Sequence, residues 1–277
     1  MISQVLEMAS EEIQYKLASW RHQYGSQAQD RLQKILVNGS PKSGTTWMRG
    51  MLESLPGYQR VGNFDGNIDK YHQVAAGDVI HGHDWYRPEL GQILQQNNIR
   101  IVLMIRDPRD QLVSRMFHVK RSANHGWHDR VSQMSDEEAL MLCIEGGGAG
   151  MPSMSEMITM AQSWLTNEDA QYIAIKYEAL RAEPVKYFNQ VLRYVGIEDE
   201  KLAKLIVERN RFERLSVGKR FWQQQRKPGQ EDKKSHYRKG IVGDWRNHLN
   251  ADHIAKFKET AGQQLIDLGY ETDLAWE

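Results

Sequence analysis

The chain has 277 residues, 40% hydrophobic and 26% charged, with 36 Lys and Arg against 36 Asp and Glu. That is enough apolar material for the core of one large domain and excludes a disordered chain, while the zero net charge excludes binding to nucleic acid or anionic membrane by bulk charge. The one cysteine, Cys143, excludes an internal disulfide and a cysteine-built zinc site, and fits a reducing compartment.

Residues 1–19 carry Glu7, Glu11 and Glu12 and no apolar signal core. Residues 5–28 read as a polar helix within an N-terminal helical segment, 1–33. Residues 34–41 read as a short buried strand ending in a turn. Residues 44–55 follow as a helix, with Trp47, Met48, Met51, Leu52 and Leu55 at helical spacing. Pro56-Gly57 stops it. Residues 78–81 form a second short strand, and 100–106 the clearest one, since a continuous apolar run suits a parallel strand covered on both faces. That run, Ile101-Val-Leu-Met-Ile105, falls far short of the roughly 18–20 residues of a membrane span. A soluble, cytoplasmic protein without a membrane span is expected.

Asp107-Pro108 fits an N-cap followed by Pro at the first helical position, opening a helix to about residue 122. Ser135-Asp-Glu-Glu138 reads as a capping box for a helix that ends at Gly146-Gly-Gly148. Residues 153–166 are helical, 172–177 a strand, 184–194 and 201–209 helices. Residues 212–239 read as a polar loop, and 252–268 as the last helix. Strands alternating with helices predict an α/β, three-layer P-loop-like fold with a central, mostly parallel sheet flanked by helices. The expected organisation is one domain, 1–277, with a motif-bearing core over 34–250 and a C-terminal helical segment over 251–277.

Charge is segregated. Residues 131–170 carry seven carboxylates and no Lys or Arg, and residues 209–239 carry eleven Lys and Arg against three carboxylates. These are solvated faces, or the basic segment covers an anionic ligand. Six of the 12 methionines fall between Met134 and Met160. Met151, Met154, Met157 and Met160 recur as a helix core does, or as an adaptable acceptor wall would, with Gly146-Gly-Gly148 as hinges of an acidic lid.

Ligands on such sheets bind beyond the C-terminal strand ends, which directs attention to three segments. The first is Gly39-Ser-Pro-Lys-Ser-Gly-Thr-Thr-Trp47, a glycine-bearing turn entering a helix, where exposed N–H groups favour an anion. It differs from the G-x-x-x-x-G-K-[ST] loop of nucleoside triphosphatases: Thr45 follows Gly44, and Lys42 lies inside the turn. The second is Arg106-Asp-Pro-Arg-Asp-Gln-Leu-Val-Ser114. The third is Arg238-Lys-Gly240 with Gly243-Asp-Trp245, which joins a guanidinium, an ammonium and a glycine that permits close backbone approach.

These segments carry a family resemblance. Pro41-Lys-Ser-Gly-Thr-Thr-Trp47 resembles the 5′-phosphosulfate loop of cytosolic-type sulfotransferases. Arg106 to Ser114 resembles their 3′-phosphate motif at the same spacing, and Arg238-Lys-Gly-Ile-Val-Gly-Asp-Trp245 their C-terminal signature. The resemblance spans residues 36–248. It implies an enzyme that uses 3′-phosphoadenosine 5′-phosphosulfate (PAPS) as sulfuryl donor, with adenosine 3′,5′-bisphosphate (PAP) as product and no metal. It assigns Lys42, Ser43, Gly44, Thr45 and Thr46 to the 5′ end of the donor. Arg106, Ser114, Arg238, Lys239 and Gly240 fall to the 3′-phosphate. Trp47 and Phe212 would flank the adenine, with Tyr177 nearby. Arg211 stands where the family usually has a small hydroxyl residue.

Sulfuryl transfer resembles loose phosphoryl transfer, so Lys42 is expected to stabilise charge on the leaving phosphate. The acceptor hydroxyl or amine needs a base near neutral pH, and histidine has the right intrinsic pKa. By the family match His83, in Val79-Ile-His-Gly-His83, is that base, with His81 as assistant or alternative and Asp84 or Asp65 to orient the imidazole. His125 and His128, about Trp127, face the acceptor or solvent. The acidic segment favours a neutral or cationic hydroxylated small molecule: a phenol, alcohol or lipid. The family's dimer motif K-x-x-x-T-V-x-x-x-E is not kept over residues 246–255, so a monomer, or a dimer built elsewhere, is expected, and no nucleic-acid partner. Two other readings stay open. One is a small-molecule kinase using ATP and magnesium, with Thr45 and Asp107 toward the metal. The other is a non-catalytic nucleotide-binding protein.

Overall fold

The structure is a computed structural model that describes residues 32–64, 66–167, 169–215 and 238–277, together with Tyr15. The expected helix over 5–28, Asp65 and most of the basic loop lie outside the described residues. In chain order the elements are β1 (Lys34–Asn38), α1 (Thr45–Leu52), β2 (Gln59–Asn63), β3 (Asp78–His81), α2 (Pro88–Gln96), β4 (Ile99–Ile105) and α3 (Pro108–Arg121). Then come α4 (His128–Ser132), α5 (Asp136–Glu145), α6 (Met154–Leu165), β5 (Tyr172–Lys176), α7 (Tyr177–Ala182), α8 (Pro184–Tyr194), α9 (Glu200–Arg209), α10 (Phe212–Leu215) and α11 (Ala251–Asp267). The fold is α/β, as the alternation predicts.

The chain divides into two compact units, each assembled from separate stretches. The first takes the described residues through 38, with 45–104 and 169–211. It contains the five-stranded sheet up to Met104, in the order β2-β3-β1-β4-β5. The pairings β1–β3, β1–β4 and β2–β3 are parallel. Ile35, Leu36 and Val37 of β1 have no exposed surface, the burial expected of a central parallel strand covered on both faces. α1 packs on β1 and β3, and α7 and α8 on β5. In register, Val37 lies opposite both His81 and Val102, and Asn38 opposite Leu103. The C-terminal ends of β1, β3 and β4 therefore come level.

The second unit takes residues 39–44, 105–168 and 212–277. Its core joins Leu112 and Met116 of α3, Cys143 of α5, Met157 of α6, Phe257 of α11, and Trp245 and Trp276. Met151, Met154, Met157 and Met160 are all buried, so the methionine periodicity marks core. Gly146-Gly-Gly148 forms a tight turn: Gly147 N–H donates to Met151 O (2.8 Å), and a Cβ on residue 147 would meet the Trp127 ring at 2.5 Å. The caps at Asp107 and Ser135 form as predicted, with Glu138 N–H donating to Ser135 Oγ at 3.1 Å and Ser135 N–H to Glu138 Oε2 at 2.9 Å.

Several elements differ from expectation. β2, an edge strand of mostly exposed residues, has none of the apolar alternation that marks a half-buried strand. α2 buries only Leu90 and Leu94, a stripe too short to register. Tyr177 opens α7 instead of ending β5. Phe212–Leu215 is a helical turn inside the expected loop.

Candidate active site

In the second unit, the 39–44 turn is held from both sides. Gln111 of α3 donates through Nε2 to Ser40 Oγ (2.8 Å) and to Pro41 O (3.2 Å). Arg106, just past β4, donates through Nη1 to Lys42 O (3.2 Å). Lys42 adopts φ 72°, a left-handed conformation that a non-glycine residue holds only when its surroundings over-determine it. Burial first, and the charge of Arg106 second, pull the Lys42 ammonium down to about 8. Among the described residues no carboxylate pairs with it, and the buried Ser43 Oγ has no hydrogen-bond partner. A buried cation beside a second cation, next to an orphaned hydroxyl, is a donor set that an anion completes. The turn thus fits the phosphosulfate end of a nucleotide. His118 of α3 stands in the same field, pushed down to about 4 by burial and then by the charges of Lys42 and His125.

The remaining anion-binding candidates meet around two buried carboxylates. Asp110 of α3 accepts from the N–H groups of Gly243 (2.7 Å) and Trp245 (3.1 Å), and Arg106 Nη2 lies 4.0 Å from its Oδ2. Burial raises the Asp110 carboxyl, against the lowering by Arg106 and those N–H groups. Asp244 accepts from Arg238, from Lys239 Nζ (3.0 Å) and from Asn247 Nδ2 (3.0 Å), and lies 3.2 Å from His248 Nε2. Burial alone would raise its carboxyl, but the hydrogen bonds from His248, Asn247, Arg238 and Lys239 hold it far below the carboxylate range. The Arg238 guanidinium also lies 4.5 Å over the Phe117 ring. Arg238 and Lys239 are thus brought together, and both face Asp244. Ser114 is half-buried on α3.

Gly240 lies against the Phe212 ring. Its φ is +64°, and a Cβ there would lie 2.4 Å from Phe212 Cδ2. The glycine permits close approach of the aromatic ring.

In the first unit, Thr45 opens α1 and its Oγ1 is 2.9 Å from His81 Nε2. The His81 and His83 rings meet edge to face, with centroids 4.8 Å apart. Gly82, between them, is fixed by N–H donation to Val37 O (3.0 Å). Trp47 donates through Nε1 to Asn210 O (2.8 Å), its ring meets Tyr177 at 5.9 Å, and Arg181 lies 5.6 Å over its face. Trp47 and Tyr177, matched separately in the sequence, therefore form one aromatic pair. Thr46 is half-buried beside them in the chain. Arg211, exposed, pairs with Glu208 at 2.5 Å. His125 and His128 bond to backbone at Trp127 and Val119. Among the described residues no group of His, Cys, Asp or Glu is placed to hold a metal ion, and no helix is long and apolar enough to cross a membrane.

The family model of the sulfotransferase domain matches residues 32–269, most of the chain and all three motifs. The chain belongs to the sulfotransferase family. This sulfotransferase is 27% identical over 266 residues to cytosolic sulfotransferase 17 of Arabidopsis thaliana, covering 85% of this chain and 75% of that protein. It is 21% identical over 265 residues to human sulfotransferase 2A1, covering 89% of each. Among solved structures it is similar to mouse sulfotransferase SULT7A1 complexed with PAP, with a TM-score of 0.66 and 20% identity over 92% of this chain and 93% of that one. That likeness establishes the fold. Sulfuryl transfer is the reaction class, and the kinase reading is not favoured.

Sequence reasoning passed over several residues that anchor these segments within each unit of this sulfotransferase. Gln111, Asp110 and Asp244 anchor the turn and the C-terminal motif, and Asn38 and Tyr71 lie behind the histidines. Asp244 was visible inside Gly243-Asp-Trp245. The link from Gln111 to Ser40 spans 71 residues and leaves no local mark.

Proposed function

We propose that this sulfotransferase moves a sulfuryl group from PAPS to the hydroxyl or amine of a neutral or cationic small molecule. The acceptor oxygen or nitrogen attacks sulfur as the bond from sulfur to the phosphate oxygen breaks. The acceptor proton passes to His83, and Lys42 stabilises charge on the departing phosphate. The family match places the base at His83, and His81 is bonded to Thr45. Ser43, Gly44, Thr45 and Thr46 take the 5′ end of the donor, and Arg106, Ser114, Arg238, Lys239 and Gly240 the 3′-phosphate. Trp47, Tyr177 and Phe212 take the adenine. The observation that carries the reading is the Lys42–Ser43 pair: a buried cation and an orphaned buried hydroxyl on a turn with no carboxylate partner among the described residues. The mouse relative complexed with PAP supports the choice of nucleotide, and the acidic segment over 131–170 supports an uncharged or cationic acceptor.

The test is calorimetric titration with PAP, with ATP plus magnesium alongside. Tight PAP binding with little ATP binding is expected. ATP–magnesium binding without PAP binding would overturn the reading. PAP binding with no transfer to any phenol, alcohol or amine in a panel would leave a nucleotide-binding protein that does no chemistry.

A further inference from the structure

His83 stands between two anchors that the family motifs do not include. On one side, Gly82 N–H donates to Val37 O at 3.0 Å. On the other, the Asn38 side chain meets the Asp84 backbone twice: Asp84 N–H donates to Oδ1, and Nδ2 donates to Asp84 O, both at 2.9 Å. A side-chain amide here takes the place of a strand backbone and extends the guidance of β1 past its last residue. The Asp84 carboxylate then turns back over the residue between the two histidines. A Cβ on Gly82 would lie 2.5 Å from Asp84 Oδ2, and that oxygen accepts from Tyr71 Oη at 2.8 Å. Asn38 and Tyr71 have no exposed surface and Asp84 has 6%. Burial, reinforced by Asp84, pushes the Tyr71 phenol well up, so it donates throughout the working pH range.

Burying a carboxylate is costly, and an apolar side chain would fill the same space more cheaply. Resting on His83 as the base, we infer that Asn38, Tyr71 and Asp84 are positioning residues for His83. Asn38 fixes the backbone just beyond the imidazole, Asp84 sets a negative field beside it, and Tyr71 holds that carboxylate in place and moderates its charge. Among the described residues of this unit, the titratable groups around this segment include His81, whose ring is 4.8 Å from that of His83, Asp84, and Tyr71, which donates to Asp84.

The test reads His83 directly and needs no acceptor. Histidine ring resonances of the nitrogen-15-labelled full chain are followed against pH in wild type, Asp84→Asn and Tyr71→Phe, with His83→Gln for assignment. Removing the carboxylate withdraws support for the imidazolium, so Asp84→Asn should lower the His83 midpoint by about half a pH unit or more. Removing the phenol leaves the carboxylate less satisfied and its negative field at the ring stronger, so Tyr71→Phe should raise the midpoint by a smaller amount. His248, in the other unit, should titrate as in wild type. A general loss of structure would move both variants the same way. If Asp84→Asn does not fold, Tyr71→Phe, which keeps the carboxylate and nearly all the volume, decides alone. A wild-type His83 titration in the variants overturns the inference. The base assignment fails separately if His83→Ala keeps sulfuryl transfer to 4-nitrophenol while the titration shifts are seen.

Discussion

The ring of Phe212 occupies the space that a side chain on residue 240 would need, with Cδ2 only 2.4 Å from the position of a Cβ. Alanine at 240 would therefore meet two penalties. The left-handed backbone, φ +64°, costs a non-glycine residue about 1 kcal/mol, and displacing a buried ring adds roughly 1–3 kcal/mol of overpacking. Gly240→Ala should lower the melting temperature and, because Arg238 and Lys239 precede it directly, weaken PAP. Adding Phe212→Ala should remove the steric part, making the pair non-additive. Thermal melts of the three variants check this. Strict additivity would show that the ring is not what residue 240 accommodates.

The turn at Lys42 holds a desolvated ammonium beside a second cation, an arrangement that costs the fold stability. Burial and Arg106 hold the ammonium near 8 against an ordinary 10.5. Between those values the unfolded chain keeps a proton that the folded chain has released, so stability rises with pH from about 8 toward 10.5. Lys42→Met should abolish that rise, melt higher than wild type at pH 7 without nucleotide, and bind PAP at least tenfold more weakly. Ser43→Ala should move in the same directions by less, since it removes an unsatisfied buried hydroxyl. Urea titrations across the pH series, with calorimetry, decide. A Lys42→Met protein that is less stable and equally tight for PAP would sink the argument.

How much of this was open to reading depends on distance along the chain. The sheet was legible where burial is continuous, as in β4, and the caps at Asp107 and Ser135 where a local rule sets the backbone. The three anion segments were legible because each lies within about a dozen residues and follows or precedes a recognisable element. β2 was hidden because an exposed edge strand needs no apolar face. The pairing of Trp47 with Tyr177, and the hold of Asn38 on Asp84, depend on strands that lie far apart in the chain coming level. Asp244 shows the intermediate case. Its place in a motif was visible, but its partners were not, and so Arg238 and Lys239 read as cations facing a ligand when each also faces a carboxylate.

Arg109 should prove the costliest surface-to-core cation in the second unit to remove. Its guanidinium lies 4.2 Å from the Trp245 ring and 4.6 Å from the Trp276 ring, in the corner between the two perpendicular indoles, and it pairs with Asp107 at 2.8 Å and Glu271 at 2.5 Å. Arg109→Ala would strand two partly buried carboxylates and undo both ring contacts, for a loss of about 3–5 kcal/mol. Arg109→Lys keeps the charge but neither the planar fork nor the stacking, and should lose about half as much. Urea denaturation at pH 7 measures both. A loss under 1 kcal/mol for Arg109→Ala would show that Trp276 and Glu271 dock without it.

Asp244→Asn tests whether that carboxylate supports the proposed 3′-phosphate site or competes with it. Its folded pKa lies far below the ordinary 3.8. Its contribution to stability is therefore complete above about pH 4 and is lost as pH falls below that. The variant should be roughly 3 kcal/mol less stable than wild type at pH 7, and the gap should narrow below pH 4 as the unfolded wild-type chain binds a proton that the folded carboxylate still excludes. For the ligand, two effects oppose. The amide relieves Arg238 and Lys239 of a competing charge, which would favour an incoming phosphate. It also frees two long side chains that Asp244 holds in one geometry, together with Asn247 and His248, and two like charges then repel each other. Holding donors where the anion will sit is worth more than one unit of local charge in a site already rich in cations. PAP should therefore bind at least tenfold more weakly to Asp244→Asn, with a shallower dependence on salt. Tighter binding with a steeper salt dependence would show instead that Asp244 occupies the place of the phosphate until the nucleotide displaces it.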